Sequence, residues 1–193
     1  MPTQPKILAF AGSTRTESFN KRLVKVAAQG ARDAGAEVTF IDLRDFPLPL
    51  FDEDLEAREG IHANAKKLKE VFKAHQGLMI SSPEYNSSIS AVLKNTIDWV
   101  SRPMQGEPPL GPYLEKVAVL MGASPGNLGG LRGLVHLRAI LGNIQVTVLP
   151  DQIAVMKAHE AFNADGTLKD PKQQQSVHGL GAKLARVLQK LHA

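Results

Sequence analysis

Ile7-Leu8-Ala9-Phe10-Ala11-Gly12-Ser13-Thr14-Arg15-Thr16-Glu17-Ser18-Phe19-Asn20 is the stretch whose reading decides the fold. An apolar run of strand length leads into a polar turn, and the turn opens a segment of helical periodicity that runs from Ser18 to Ala34 and stops at Gly35, a plausible residue just past the helix end. A strand that hands over to a helix in this way leaves the first helical amides without intrahelical acceptors. Their partial positive charge favours an anion. Arg15 adds a full charge, and the hydroxyls of Ser13, Thr14 and Ser18 with the amide of Asn20 add donors, so this corner reads as a socket for a phosphate that stays bound. The alternative is plain helix capping, with Ser18 as N-cap and Thr14-x-x-Glu17 as a capping box. Glu17 opposes an anion unless it points to solvent.

Working outward, the same strand-then-helix unit recurs. Apolar runs at Ile7 to Ala11, Glu37 to Leu43, Gly77 to Ser82, Val117 to Met121 and Gln145 to Leu149 alternate with periodic segments at Ser18 to Ala34, Ile61 to His75, Ile89 to Val100, Leu128 to Leu141 and Gln173 to Leu191. Continuous apolarity marks strands covered on both faces, hence a parallel sheet between helix layers. Five such units predict an α/β, doubly wound five-stranded parallel sheet of order 2-1-3-4-5 with helices on both faces, in a single domain over residues 1–193. In that order a ligand crevice opens between the carboxyl ends of strands one and three. The loop Ser82-Pro83-Glu84-Tyr85-Asn86-Ser87-Ser88 follows strand three, and Gly122-Ala123-Ser124-Pro125-Gly126-Asn127-Leu128-Gly129-Gly130 follows strand four on the same rim. Pro83 ends the ladder, and Glu84, Tyr85 and Asn86 can then present backbone groups and a ring to a flat ligand. Read alone, the segment is a turn leading to an N-cap at Ser87 or Ser88. The glycines of the later loop suit close backbone approach to a ligand or a flexible helix entry.

Composition removes several classes of function. Zero cysteines exclude disulfides, thiolate nucleophiles and thiolate metal sites, so redox chemistry here needs a bound cofactor. A net charge of +4 without a basic block, and seven Phe, two Tyr and one Trp, argue against nucleic acid as a partner. No apolar run approaches membrane-spanning length, and Ile7 to Ala11 is too short for a secretory signal, so a cytoplasmic location is expected. Six histidines show no ligand spacing, Asn163-Ala164-Asp165-Gly166 lacks the rest of a calcium loop, and no metal is expected. Neither Gly-x-Gly-x-x-Gly after a strand nor a P-loop occurs. Trp99 reads as core or subunit contact.

Gly-Ser-x-Arg-x-x-Ser-x-Asn at 12–20, Pro-Glu-Tyr-Asn at 83–86, Leu93-Lys94-Asn95-Thr96-Ile97-Asp98-Trp99 and Gly122-x-Ser-Pro-Gly together resemble the NADPH-dependent FMN reductases, a flavodoxin-like group that includes azoreductases, quinone reductases and chromate reductases. Leu48-Pro49-Leu50-Phe51-Asp52-Glu53-Asp54 matches the group's loop after strand two. The resemblance implies FMN as cofactor and NADPH or NADH as co-substrate. Ser13, Arg15, Ser18 and Asn20 would hold the FMN phosphate, with Thr14 and Phe19 in the same loop. Pro83, Glu84, Tyr85 and Asn86 would line the isoalloxazine, and Ser124 and Gly126 would approach the ring or ribityl chain. It implies hydride transfer through flavin N5 to a small acceptor by a ping-pong mechanism with no catalytic acid-base pair, and a homodimer or homotetramer in which Phe46 to Phe51 covers the neighbour's flavin. A flavodoxin-type electron carrier served by a separate reductase is the alternative. Arg132, Arg138, Lys94 and Arg102 are candidates for a nucleotide 2′-phosphate.

Overall fold

The computed structural model describes residues 4–192. Five parallel strands, β1 (Lys6–Ala11), β2 (Glu37–Ile41), β3 (Gly77–Ser81), β6 (Val117–Ala123) and β7 (Thr147–Val155), form one sheet of order β2-β1-β3-β6-β7, the doubly wound order predicted above. A two-stranded hairpin, β4 (Glu84–Tyr85) with β5 (Ser88–Ile89), stands apart from it. The helices are α1 (Phe19–Asp33), α2 (Glu53–Glu59), α3 (Ala63–Lys73), α4 (Ala91–Ser101), α5 (Leu131–Asn143), α6 (Ala158–Ala161) and α7 (Pro171–Leu191).

Alternate residues of each central strand point to opposite faces, which explains why the runs are apolar throughout. Ile7, Ala9, Met79, Val119 and Met121 pack under α1 and α7 with Leu23, Ala27, Leu184 and Leu188. Leu8, Phe10, Leu78, Ile80 and Leu120 pack on the other face with Leu68, Phe72, Leu93, Ile97, Leu134 and Leu137 of α3, α4 and α5. On the first face α1 and α7 approach so closely that a Cβ on Gly181 would lie 1.8 Å from the Ala27 carbonyl oxygen.

Several boundaries depart from the sequence reading for local reasons. β2 ends at Ile41 because Asp42 turns its carboxylate back to accept from the Arg44 amide, opening a 3₁₀ turn at Leu43–Asp45. β7 continues to Val155 past Pro150, with its pairing to β6 shifted between Ala118 and Leu120. As the edge strand, it tolerates a residue that lacks an N–H. α5 begins at Leu131, not Leu128, because Gly129 and Gly130 hold φ of +61° and +95°, outside helical space. α4 begins after Ser90, whose hydroxyl accepts from the Leu93 amide. Ser88 and Ile89 belong to the hairpin, so the cap is neither Ser87 nor Ser88. α2 carries no buried residue and hence no apolar period to read.

Candidate functional site

The loops after β1, β3 and β6 converge at the carboxyl edge of the sheet around a cavity of about 190 Å³. Ser13, Arg15, Ser18, Phe19, Asn20, Pro83, Glu84, Tyr85 and Ser124 line it, joined by Ala123 and Pro125. Thr14, Asn86 and Gly126 sit in the same loops but outside the lining. Thr14 faces a neighbouring cavity bordered by Arg44, Phe46 and Leu48.

The first corner has the features a phosphate needs. Ser18 caps α1, and the helix starts at Phe19, so the amides of Phe19 and Asn20 have no intrahelical acceptor. Ser13 Oγ accepts from the Arg15 amide at 3.3 Å and Ser18 Oγ from the Lys21 amide at 3.4 Å, which leaves both hydroxyl hydrogens to be donated elsewhere. Capping and anion binding are therefore compatible at Ser18. The other charges near this corner are paired with one another. Glu17 is turned outward to Arg22 at 2.6 Å, which takes its repulsion away from the socket, and buried Lys21 pairs with Asp42 at 2.5 Å. Burial pushes the Asp42 carboxyl up, but Lys21 and the Arg44 amide outweigh it and hold it below its ordinary value. Arg15 forms no ion pair among the described residues. Its guanidinium touches only the Glu17 carbonyl at 3.4 Å and lies 5.9 Å from the Phe19 ring centroid. The corner thus presents an exposed, uncompensated cation beside free amides.

The corner is braced from three sides. Arg44 Nε donates to the Thr14 carbonyl at 2.9 Å. The Ser90 hydroxyl donates to the Gly12 carbonyl at 2.6 Å, joining the start of α4 to the end of β1. Asn20 Oδ1 accepts from Ser81 Oγ at 2.8 Å and from the Ala123 amide at 2.9 Å, while its Nδ2 donates to the Ala123 carbonyl at 2.9 Å.

The second loop is the hairpin. Its two-residue connection, Asn86-Ser87, has φ of +50° and +68°. That is the backbone of a tight primed turn, which Asn adopts readily and Ser does not. Tertiary bonds hold it there. The Glu84 carboxylate, 7% exposed, accepts from Arg132 Nε at 2.8 Å and the Gly133 amide at 3.1 Å, and the Ser88 hydroxyl meets His136 Nδ1 at 2.9 Å. Burial pushes the Glu84 carboxyl up, yet the Gly133 amide and Arg132 together hold it below the usual range. Glu84 thus reaches across to α5, and exposed Tyr85 stands at the rim. In the third loop Ser124 Oγ accepts from the Gly126 amide at 3.2 Å. Gly129 of this loop serves packing, since a Cβ there would lie 2.8 Å from the Ala154 carbonyl carbon, whereas a Cβ on Gly126 would meet only Ser124 Oγ at 3.7 Å.

Elsewhere, Trp99 is fully buried and donates to the Pro49 carbonyl at 2.8 Å, with Phe51 edge-on to its ring. Asn95 holds the Phe51 amide and the Pro49 carbonyl, fixing the apolar loop. The four candidate cations for a 2′-phosphate are all engaged: Arg132 with Glu84, Lys94 with Asp98, Arg102 with Glu56, and Arg138 with the Val148 carbonyl. Sequence reasoning missed Ala123, Arg44 and the Lys21–Asp42 pair. Ala123 lies just beyond the expected end of a strand, and Arg44 and Asp42, the partner of Lys21, come from the segment after β2, which no local spacing connects to the first corner.

A doubly wound parallel sheet whose first strand-to-helix turn borders a crevice at the topological switch, beside a hairpin braced by α5, defines a flavodoxin-like protein. Residues 5–160 match the NADPH-dependent FMN reductase family, and the chain belongs to that family of oxidoreductases, which work with FMN and NAD(P)H. It is 34% identical over 173 residues to an NAD(P)H-dependent FMN reductase of Pseudomonas aeruginosa, covering 89% of both chains. It is 32% identical over 152 residues to a quinone reductase of Escherichia coli, covering 77% of this chain and 76% of the other. Among solved structures, the flavoenzyme NAD(P)H:(acceptor) oxidoreductase FerB of Paracoccus denitrificans superposes with a TM-score of 0.80 at 26% identity, covering 97% of this chain and 98% of that one.

Proposed function

We propose that this chain, as one flavodoxin-like unit over residues 1–193, takes hydride from NAD(P)H and delivers it to small acceptors. Quinones come first, with free flavin, azo compounds and metal oxyanions as further candidates. The observation that carries the reading is the crevice itself, where free amides of Phe19 and Asn20, two donor hydroxyls and an Arg15 with no ion pair among the described residues face the Glu84–Ile89 hairpin. These features fit a flavin mononucleotide, whose phosphate needs several donors and whose ring needs a fixed, flat neighbour. Ser13, Arg15 and Ser18 with the first-turn amides would hold the phosphate. Pro83, Glu84, Tyr85 and Asn86 would lie along the ring, and Ser124 and Gly126 beside the ring or ribityl chain. When bound, FMN supplies the hydride acceptance and donation that no side chain here provides. The protein's share is to bind, to orient and to set the local field, chiefly through main-chain donors.

A flavodoxin-type carrier is disfavoured by a net charge of +4, since carriers that dock on basic partners are acidic. The relatives named as quinone reductases and as an FMN reductase favour the enzyme. A homodimer or homotetramer, with the apolar Phe46 to Phe51 segment against a second copy, goes with exposed Leu50. A cytoplasmic location goes with the use of NAD(P)H. The test is direct: NADPH added anaerobically to the purified yellow protein should bleach it quickly with no partner present, and a flavin that stays oxidised for minutes would refute the enzyme. Nucleotide and acceptor are expected to take turns at the crevice, giving parallel double-reciprocal lines; intersecting lines would refute that order.

A further inference from the structure

Asn20 is the residue of the first corner whose surroundings differ most from those of a ligand contact. It is 3% exposed, and both acceptor sites of its carbonyl are taken by the Ser81 hydroxyl and the Ala123 amide. Its amide nitrogen donates to the Ala123 carbonyl. Ser81 is the last residue of β3 and Ala123 the last of β6, and both are buried. Asn20 itself lies in the first turn of α1, which β1 delivers. β1, β3 and β6 are consecutive neighbours in the sheet, so this one side chain spans the origins of all three loops that line the crevice.

We infer that the Asn20 side chain is a positioning group that fixes the separation of the three crevice loops, and that, unlike the main-chain amide of the same residue, it is not a ligand of the phosphate. The two roles differ in what they do to a flavin. A phosphate ligand acts on the phosphate alone, whereas a strut acts on the whole crevice and therefore on the ring and ribityl chain as well. Removing the strut leaves the Ser81 hydroxyl and the Ala123 amide and carbonyl without partners at buried positions, and the loop ends must shift or admit water to satisfy them. Arg15, by contrast, is exposed and has no ion pair among the described residues, so its removal disturbs no such network.

The inference rests on the crevice being the flavin site, and the experiment separates the two. The full chain and its Asn20→Ala, Ser81→Ala and Arg15→Ala variants are titrated with FMN and with riboflavin, following flavin fluorescence, at a temperature where circular dichroism shows each variant folded. A residue important only for global stability would leave both affinities unchanged under that condition. Asn20→Ala is expected to weaken FMN and riboflavin by the same factor, about tenfold. Ser81→Ala, which removes only one of the three bonds, should weaken both by a smaller common factor. A loss confined to FMN in Asn20→Ala, or no loss for either flavin, overturns the inference. Should Asn20→Ala fail to fold, Ser81→Ala is read by the same criterion: equal losses support the strut, and an FMN-only loss or none overturns it. Arg15→Ala reports on the site: a loss confined to FMN upholds the phosphate corner whatever Asn20 does, and an equal loss for both flavins removes it.

Discussion

Glu84→Gln is the substitution that probes most directly how the hairpin is held. The carboxylate is 7% exposed and takes bonds from Arg132 and, at 3.1 Å, from the Gly133 amide. Gln has the same shape and keeps one acceptor, but it lacks the charge and brings an NH₂ group toward the donors. Arg132 is 56% exposed, so water screens its share, and a surface pair of this kind contributes only about 0–1 kcal/mol. The amide bond to a buried carboxylate adds about 1.5–3 kcal/mol when both partners are dry, and the retained Gln oxygen recovers part of it. A net loss of about 1–2 kcal/mol follows, felt locally, because the hairpin is not part of the main sheet. The Asn86-Ser87 turn, with both φ positive, should then relax first. Amide hydrogen exchange is the assay. Exchange in residues 84–89 should speed up about 5-fold to 30-fold, the factor such an energy implies, with β1 and β3 unchanged. Unchanged exchange across the hairpin would refute the claim that Glu84 holds it.

Arg15→Ala should cost about 1.5–3 kcal/mol of FMN affinity, or about tenfold to a hundredfold in Kd, with riboflavin nearly indifferent, as measured by flavin fluorescence. Gly181→Ala places a methyl 1.8 Å from the Ala27 carbonyl oxygen and should destabilise by about 1–3 kcal/mol, lowering Tm by about 2–4 °C for each kcal/mol in calorimetry. Glu107, bonded to Lys73 at 2.6 Å and paired with buried Lys69 at 3.0 Å, has its carboxyl held down mainly by the Lys73 bond. Its folded value lies below the unfolded one, so its contribution is complete above about pH 5 and disappears as the pH falls through the folded value. Tm measured down to about pH 3 should therefore drop less steeply in Glu107→Gln than in the unaltered chain.

The sheet order was legible because β1, β3 and β6 are covered on both faces and therefore read as unbroken apolar runs. The crevice was legible for a topological reason, since the order places the loops after β1 and β3 together whatever their side chains. What escaped is held by distant partners. The β4–β5 hairpin has only two residues a strand and a Ser at positive φ. Its stability comes from Arg132 and His136, 48 residues away from Glu84 and Ser88. β7 runs on past the apolar run that ends at Leu149, through Pro150, which its edge position and the shift in its pairing to β6 make tolerable. Asn20 reads in the sequence as one more polar donor of the first corner, alongside Ser13, Thr14 and Ser18. Its actual partners are the Ala123 backbone and the Ser81 hydroxyl, which no side-chain pattern announces.

The central claim is that the turn between β1 and α1 holds the phosphate of FMN. A crystal structure of the chain grown with FMN measures it most directly. The phosphate is expected within hydrogen-bond distance of the Phe19 and Asn20 amides, the Ser13 and Ser18 hydroxyls and the Arg15 guanidinium, with the ring along the Pro83 to Asn86 segment. A phosphate bound away from that corner would contradict the account.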